Sequence, residues 1–223
     1  MWHEHPDLQS GIEVLAQDIG RHIAAFLRRS GQCTLAVSGG RSPIPLFARL
    51  AQLELDWSQV HVRLVDERYV PPEHPDSNER LVRRHLLKAN AASANFRGLY
   101  VRGAGIETAV AAANAEAKPV NVALLGMGDD GHTASLFPGA VQLSAAISPE
   151  AACYLHITPP AAPHERISMS LAALQACDHR ILYIAGDTKR EVLRQAEKKA
   201  DPALPVSLLA AEPGATLDVY WHP

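Results

Sequence analysis

The run Gly126-Met127-Gly128-Asp129-Asp130-Gly131-His132-Thr133-Ala134-Ser135 brings a histidine, two carboxylates and two hydroxyls close together and separates them with glycines. Imidazole is the side chain whose ordinary pKa lies closest to neutral, so a histidine held by a permissive backbone at a strand end is a candidate general base. His132 is that candidate. Asp130, two residues earlier, can hold the loop or orient the ring. Just upstream, Val120 to Leu125 is short, apolar and partly β-branched, and it stops at a glycine, as a buried strand does when it enters a turn.

Gly126, Gly128 and Gly131 also fit the spacing of a dinucleotide-binding turn, and Glu150 stands near the offset of a ribose-binding acid. That reading fails on charge. A pyrophosphate needs a helix N-terminus facing it, whereas Asp129 and Asp130 bring negative charge to the spot and Pro138 leaves little helical length. A lone histidine in a turn more often faces solvent than does chemistry. Here, however, other polar loops also fall at the ends of predicted strands.

Cys33–Val37 predicts a strand that runs into Ser38-Gly39-Gly40-Arg41-Ser42-Pro43, with Ser42 as N-cap and Pro43 opening a helix through Leu53. Gly39, Gly40, Arg41 and Ser42 together suit a phosphate or another anion. A second strand, Val60–Val65, empties into Asp66-Glu67-Arg68-Tyr69-Val70-Pro71-Pro72; Ser77 then caps a helix over 79–88, with Asn78 beside it. Ala151–Thr158 reads as a strand, followed by Pro163-His164-Glu165-Arg166 and a helical spacing of Ile167, Leu171 and Leu174. Arg180–Ala185 is the next strand, leading through Gly186-Asp187-Thr188-Lys189 to a charged helix over 190–199.

The supporting elements follow from periodicity. Leu8, Ile12, Leu15, Ile19, Ile23 and Phe26 recur three or four apart, which predicts an amphipathic covering helix over 7–29 that Gly31 ends. A second helix spans 107–118, the stretch 90–105 reads as loop, and a last pair of strands is expected around 206–209 and 216–221. Strands alternating with helices imply an α/β fold with a mainly parallel sheet, whose ligands bind outside the carboxyl ends of the strands.

At 223 residues, with 47% hydrophobic and 20% charged residues, the chain fits one α/β domain over 1–223 with a full core. A net charge of −3 offers no basic field for nucleic acid. Cys33, Cys153 and Cys177 are odd in number, far apart and without metal-ligand spacing, so they read as thiols in a reducing compartment. With no signal-like start and no apolar run of membrane length, the expected location is cytoplasmic, with no membrane partner.

Taken in order, the loops SGGRSP, DERYVP, DSN, GMGDDGHTASLFPG, PHERIS and GDTK resemble those of the short, single-domain 6-phosphogluconolactonases of the glucosamine-6-phosphate isomerase/6-phosphogluconolactonase superfamily. The resemblance runs from about residue 33 to about residue 199. It implies a doubly wound sheet with helices on both faces and hydrolysis of 6-phosphogluconolactone in the pentose phosphate pathway, with no metal and no organic cofactor. It also implies His132 as base, with Asp130 as the acid beside it. Arg68 and Lys189 match positions associated with the substrate phosphate, and Gly39, Gly40 and Ser42 match the phosphate loop. Asp66, Asn78 and Arg166 match polar positions at the rim. Arg41 and Ser42 depart from the family's small residue and threonine, so Arg41 either adds a phosphate contact or points to water.

A δ-lactone is an activated ester, and a positioned base for water, supplying typically about 10²–10⁴-fold, is the group it needs. The nearest rival is a glucosamine-6-phosphate deaminase, whose similar loop continues Phe-Asn-Glu-Pro where this chain has Ser135-Leu136-Phe137-Pro138. The second carboxylate of that acid-base chemistry is missing. A non-catalytic sugar-phosphate sensor would keep the phosphate loops and lose His132. A metal hydrolase lacks paired-ligand spacing among the histidines; His164 stays open as a residue of the site edge. The expected assembly is a monomer or weak homo-oligomer.

Overall fold

The computed structural model describes residues 1–212, 214 and 216–223. In chain order the elements are β1 (Trp2–Glu4), α1 (Leu8–Ser30), β2 (Cys33–Val37), α2 (Ile44–Leu50), β3 (Val60–Leu64), β4 (Asp66–Arg68), α3 (Asn78–His85), β5 (Asn95–Phe96), α4 (Ile106–Ala115), β6 (Val122–Leu125), α5 (Leu143–Ala146), β7 (Tyr154–Ile157), β8 (Arg166–Met169), α6 (Leu171–Gln175), β9 (His179–Ala185), α7 (Asp187–Ala196), α8 (Ser207–Ala210) and β10 (Leu217–His222).

Seven strands form one sheet in the order β1-β10-β9-β6-β2-β3-β5, and every pairing in it is parallel. Every residue of β2 and β6 is buried, although successive side chains point to opposite faces, so both faces of the centre are covered. α1 supplies much of one cover, packing on β2, β6 and β10. Its buried stripe is Ile12, Leu15, Ile19, Ile23 and Phe26; Leu8 lies outside the stripe and is exposed. Asp7 caps its start and Gly31, at φ 74°, ends it. No helix among the described residues is long and apolar enough to cross a membrane.

Several elements differ from the sequence expectation, and tertiary pairing accounts for the strands among them. Asp66–Arg68, expected as loop, is β4, and it pairs antiparallel with β8; β7 adds on the other side of β8 to give a separate three-stranded sheet. Ile167 therefore sits in a strand, and α6 starts only at Leu171, capped by Ser170. The 206–209 stretch is not a strand: Ser207–Ala210 is the short helix α8. Two further strands were not expected, β1 and β5, both short edges that their neighbours hold in place.

The small sheet is tied to α4 by Asn114, which bonds both the N–H and the carbonyl of Tyr154, and by one imidazole. His156 of β7 meets Glu107 through Nδ1 at 2.7 Å and Glu165 through Nε2 at 2.5 Å. Neutral imidazole can donate to only one of these carboxylates; the cation satisfies both. Burial pulls the His156 pKa down, but the hydrogen bonds to Glu165 and Glu107 outweigh it and leave the pKa raised. A raised histidine contributes its stability in full below its unfolded value, near 6.5, and loses it as pH rises through the folded value. In melting scans, wild type is expected to exceed His156→Gln most at acidic pH, with the gap closing on the alkaline side. A gap that widens with pH would refute the clamp.

Candidate active site

The chain leaves β2 toward β3 and β5 on one side of the sheet, while β6 leads to β9 and β10 on the other. The order reverses between β2 and β6, and loops that diverge from two adjacent parallel strands leave a crevice at their carboxyl ends. Such a cleft of about 300 Å³ opens there, lined by the Ser38–Pro43 loop, Asp66, Arg68, Asn78, Gly126, Met127, Gly128, His132, Tyr183 and Lys189, among others. A slightly larger cavity, about 350 Å³, opens beside Arg63, Arg97 and Tyr154; among the described residues no histidine lines it, so it offers no imidazole base.

His132 is positioned by its own loop. The N–H of Gly128 donates to the His132 carbonyl at 2.9 Å, that of Gly131 donates to the Gly128 carbonyl, and Gly131 takes φ 75°. At Gly128 a Cβ would lie 2.2 Å from the imidazole, so the ring packs directly on backbone and no other residue fits. Nδ1 of His132 lies 2.5 Å from Asp130 Oδ1, and the same oxygen accepts the His132 N–H at 3.2 Å. With Nδ1–H donated to Asp130, the Nε2 lone pair is left for a proton from outside. Asp130 itself stands behind the histidine and does not line the cleft. The Phe137 ring packs on the imidazole with centroids 4.4 Å apart.

The opposite wall is organised by Glu67. Its carboxylate is fully buried and accepts from the N–H groups of Arg68, Asn78 and Glu79 and from Ser77 Oγ, at 2.7–3.1 Å. It thereby joins β4 to the N-terminus of α3, where Ser77 is the cap, as expected. Burial pushes the Glu67 carboxyl up to about 7, against the pull of those four donors. Asn78, fixed in this way, donates from Nδ2 to the Asp66 carbonyl at 2.9 Å, and Asp66 Oδ2 accepts from Ser135 Oγ at 2.7 Å. The β4 wall and the His132 loop are thus tied together. A Cβ on Gly39 would fall 1.8 Å from the Asn78 amide, so this glycine is required where the loop meets α3. Glu67 was missed in the sequence, where three adjacent charges at a strand mouth gave the only hint.

The cations lie as expected, with one exception. Arg68 Nη1 donates to the Asp76 carbonyl at 2.6 Å, and Lys189 lies in the first turn of α7; among the described residues neither has a carboxylate within ion-pair distance. Arg166 does not line the cleft. It is buried in β8 opposite Arg68, donates from Nη2 to the Pro163 carbonyl and leaves Nε without a partner. Burial and the Arg68 charge depress its pKa, while Asp66, Glu67 and Asp76 oppose them. Ser42 does not cap α2: Pro43 takes that place and a turn closes from the Ile44 N–H to the Arg41 carbonyl. Arg41 is exposed on the cleft rim. Ser38, next to the expected phosphate loop, adds a buried hydroxyl with no partner among the described residues.

The sequence matches the family model described as glucosamine-6-phosphate isomerases/6-phosphogluconolactonase over residues 6–221. The chain belongs to this family. A 6-phosphogluconolactonase of Rhizobium meliloti is 42% identical over 95% of this chain and 94% of that protein, and one of Pseudomonas putida is 39% identical over 99% and 92%. Among solved structures, a 6-phosphogluconolactonase from Shewanella baltica superposes with a TM-score of 0.94 at 35% identity, covering 100% of this chain and 97% of that one. A monomeric glucosamine-6-phosphate deaminase superposes at 0.81 with 15% identity, which shows a shared fold alone. Both activities of the family therefore occur on this fold, and the side chains in the cleft must separate them. In this chain the position before Pro138 is Phe137, whose ring packs on His132.

Proposed function

We propose that the chain hydrolyses 6-phospho-D-glucono-1,5-lactone to 6-phospho-D-gluconate, a step of the oxidative pentose phosphate pathway, with His132 as general base. The observation that carries this reading is the His132–Asp130 pair at 2.5 Å, with His132 on a cleft also lined by Arg41, Arg68 and Lys189, none of which has a carboxylate within ion-pair distance among the described residues. Nε2 of His132 takes a proton from water as the oxygen attacks the lactone carbonyl carbon, and the carbonyl electron pair moves onto its oxygen. As that pair returns, the ring C–O bond breaks, and the leaving oxygen becomes a hydroxyl by taking the proton from the imidazolium. Asp130 keeps Nδ1–H donated throughout and stabilises the cation that forms.

Lys189, Arg68 and the Gly39–Ser42 loop hold the phosphate, remote from the reacting carbon; Arg41 closes the rim and Arg166 backs Arg68. Charge-assisted hydrogen bonds of this kind contribute about 1.5–3 kcal/mol each. Arg68→Ala and Lys189→Ala should each lose that much in kcat/KM toward the phosphorylated lactone and far less toward gluconolactone. Equal losses on both substrates would move these side chains from phosphate binding to the fold.

The direct test of the reaction scores 6-phosphogluconolactone hydrolysis against glucosamine-6-phosphate deamination in chelator-containing buffer. Lactone hydrolysis at the same rate with and without chelator is expected, and deamination alone would overturn the reading. The net charge of −3 and the three free thiols suit a cytoplasmic enzyme without a nucleic-acid partner, working as a monomer or weak homo-oligomer.

A further inference from the structure

Beside the cleft, one cluster of side chains carries chemistry that lactone hydrolysis does not use. His74 and Asp76 stand in the loop between β4 and α3, His164 stands in the connection between β7 and β8, and one ligand atom from each lies within 4.8 Å of the others. His164 Nε2 is 3.0 Å from Asp76 Oδ2, and His74 Nδ1 is 3.8 Å from the same oxygen. The two rings meet edge to face with centroids 5.2 Å apart.

A tetrahedral ion with bonds of about 2.0–2.1 Å sets its donor atoms roughly 3.3–3.4 Å apart. The two measured separations bracket that value, and small rotations of the imidazoles close the remainder. At His74 the hydrogen bonding leaves a lone pair for an ion, whereas His164 Nε2 donates to Asp76 Oδ2 and gives up that proton on binding. The Asp76 N–H donates to His74 Nδ1 at 3.1 Å, so this nitrogen presents a lone pair and not a proton, and binding exchanges that bond for one to metal.

A second observation is independent of the distances. His164 takes φ 70°, a left-handed conformation that favours glycine and is strained in a histidine. Such strain persists where the surrounding structure enforces it, and it collects at ligand-holding positions. Here it belongs to the residue whose ring is set on Asp76. All three side chains are partly exposed, so an ion can enter from solvent and keep a water at its fourth position.

We propose that His74, Asp76 and His164 form a three-ligand site for a divalent ion of the Zn²⁺ class. Two imidazoles and one carboxylate suit Zn²⁺ or Co²⁺, whereas Mg²⁺ and Ca²⁺ call for oxygen ligands. The bound ion fastens the β4–α3 loop to the β7–β8 connection. Because Asp76 also accepts from Arg68, the clamp sits behind the phosphate end of the cleft and away from His132. The site is separate from the base chemistry and stands whether or not the lactonase reading does.

Titration of metal-free protein with Co²⁺, followed in the visible d–d bands and then by displacement with Zn²⁺, tests it. One equivalent per chain is expected, together with a rise in melting temperature on adding Zn²⁺. His164→Gln should weaken affinity by at least roughly tenfold, the loss that even an outer partner of a ligand costs. The double variant His74→Gln/His164→Gln should abolish both signals, with circular dichroism confirming its fold. Asp76→Asn leaves both imidazoles in place and should lose the site too. Absence of a stoichiometric equivalent in wild type, or its survival in the double variant, overturns the proposal.

Discussion

His132→Ala lowers kcat by about 10²–10⁴-fold while KM stays near the wild-type value, because the residue acts on water in the transition state and contributes little to ground-state binding. The geometry specifies why alanine cannot be rescued by a neighbour. Among the described residues no second imidazole lines the cleft, and Asp66 is committed to Ser135 Oγ. The fold should survive, since His132 is partly exposed and its loop is held by backbone bonds at Gly128 and Gly131 and by Thr133 Oγ1 on the Gly126 carbonyl. Stopped-flow assay with spontaneous lactone hydrolysis subtracted is the measurement. Near wild-type turnover would remove His132 from the mechanism, whereas a large rise in KM with unchanged kcat would recast it as a binding residue. Asp130→Asn should fall between the two, because the amide holds the ring less firmly and no longer stabilises the imidazolium.

Glu67→Gln is expected to cost about 3 kcal/mol of stability. The carboxylate offers only acceptors to four converging donors; an amide turns one of its two termini into a donor and leaves two buried groups unpaired, each at about 1–3 kcal/mol. For a chain of this size that corresponds to a fall in melting temperature of roughly 6–12 °C. Activity should fall as well, because the β4–α3 junction fixes Asn78 and the start of Arg68, and the loss should appear toward phosphorylated and unphosphorylated lactone alike. That pattern separates it from Arg68→Ala. A variant that melts within a degree of wild type would show that the junction is held by packing alone.

Much of this architecture was legible because local chemistry over-determines it. The α1 stripe, the all-buried β2 and β6, the Ser77 cap and the glycine at position 31 each answer to neighbours a few residues away, and each lies where periodicity or capping placed it. The resemblance carried by DERYVP and GMGDDGHTASLFPG did the same for the family, and most of the residues it named line one cleft. The misreadings share a cause. Asp66–Arg68 and Ile167 have no local reason to be extended; they become strands because β4 pairs with β8 across about a hundred residues of chain, while β7 pairs on the other side of β8.

His132, its aspartate and its glycines sit within one loop, so sequence proximity alone singled out the proposed base and the aspartate that can orient it. Contacts between distant segments are another matter. That Arg68 and Lys189 share a cleft follows from the reversal of strand order between β2 and β6, and that Arg166 is buried behind Arg68 follows from the antiparallel register of β4 on β8. Glu67 belongs to this second class. A glutamate at a strand end carries no mark of its role until folding removes it from water and aims four donors at it, since desolvation and hydrogen bonding act through space and not along the chain.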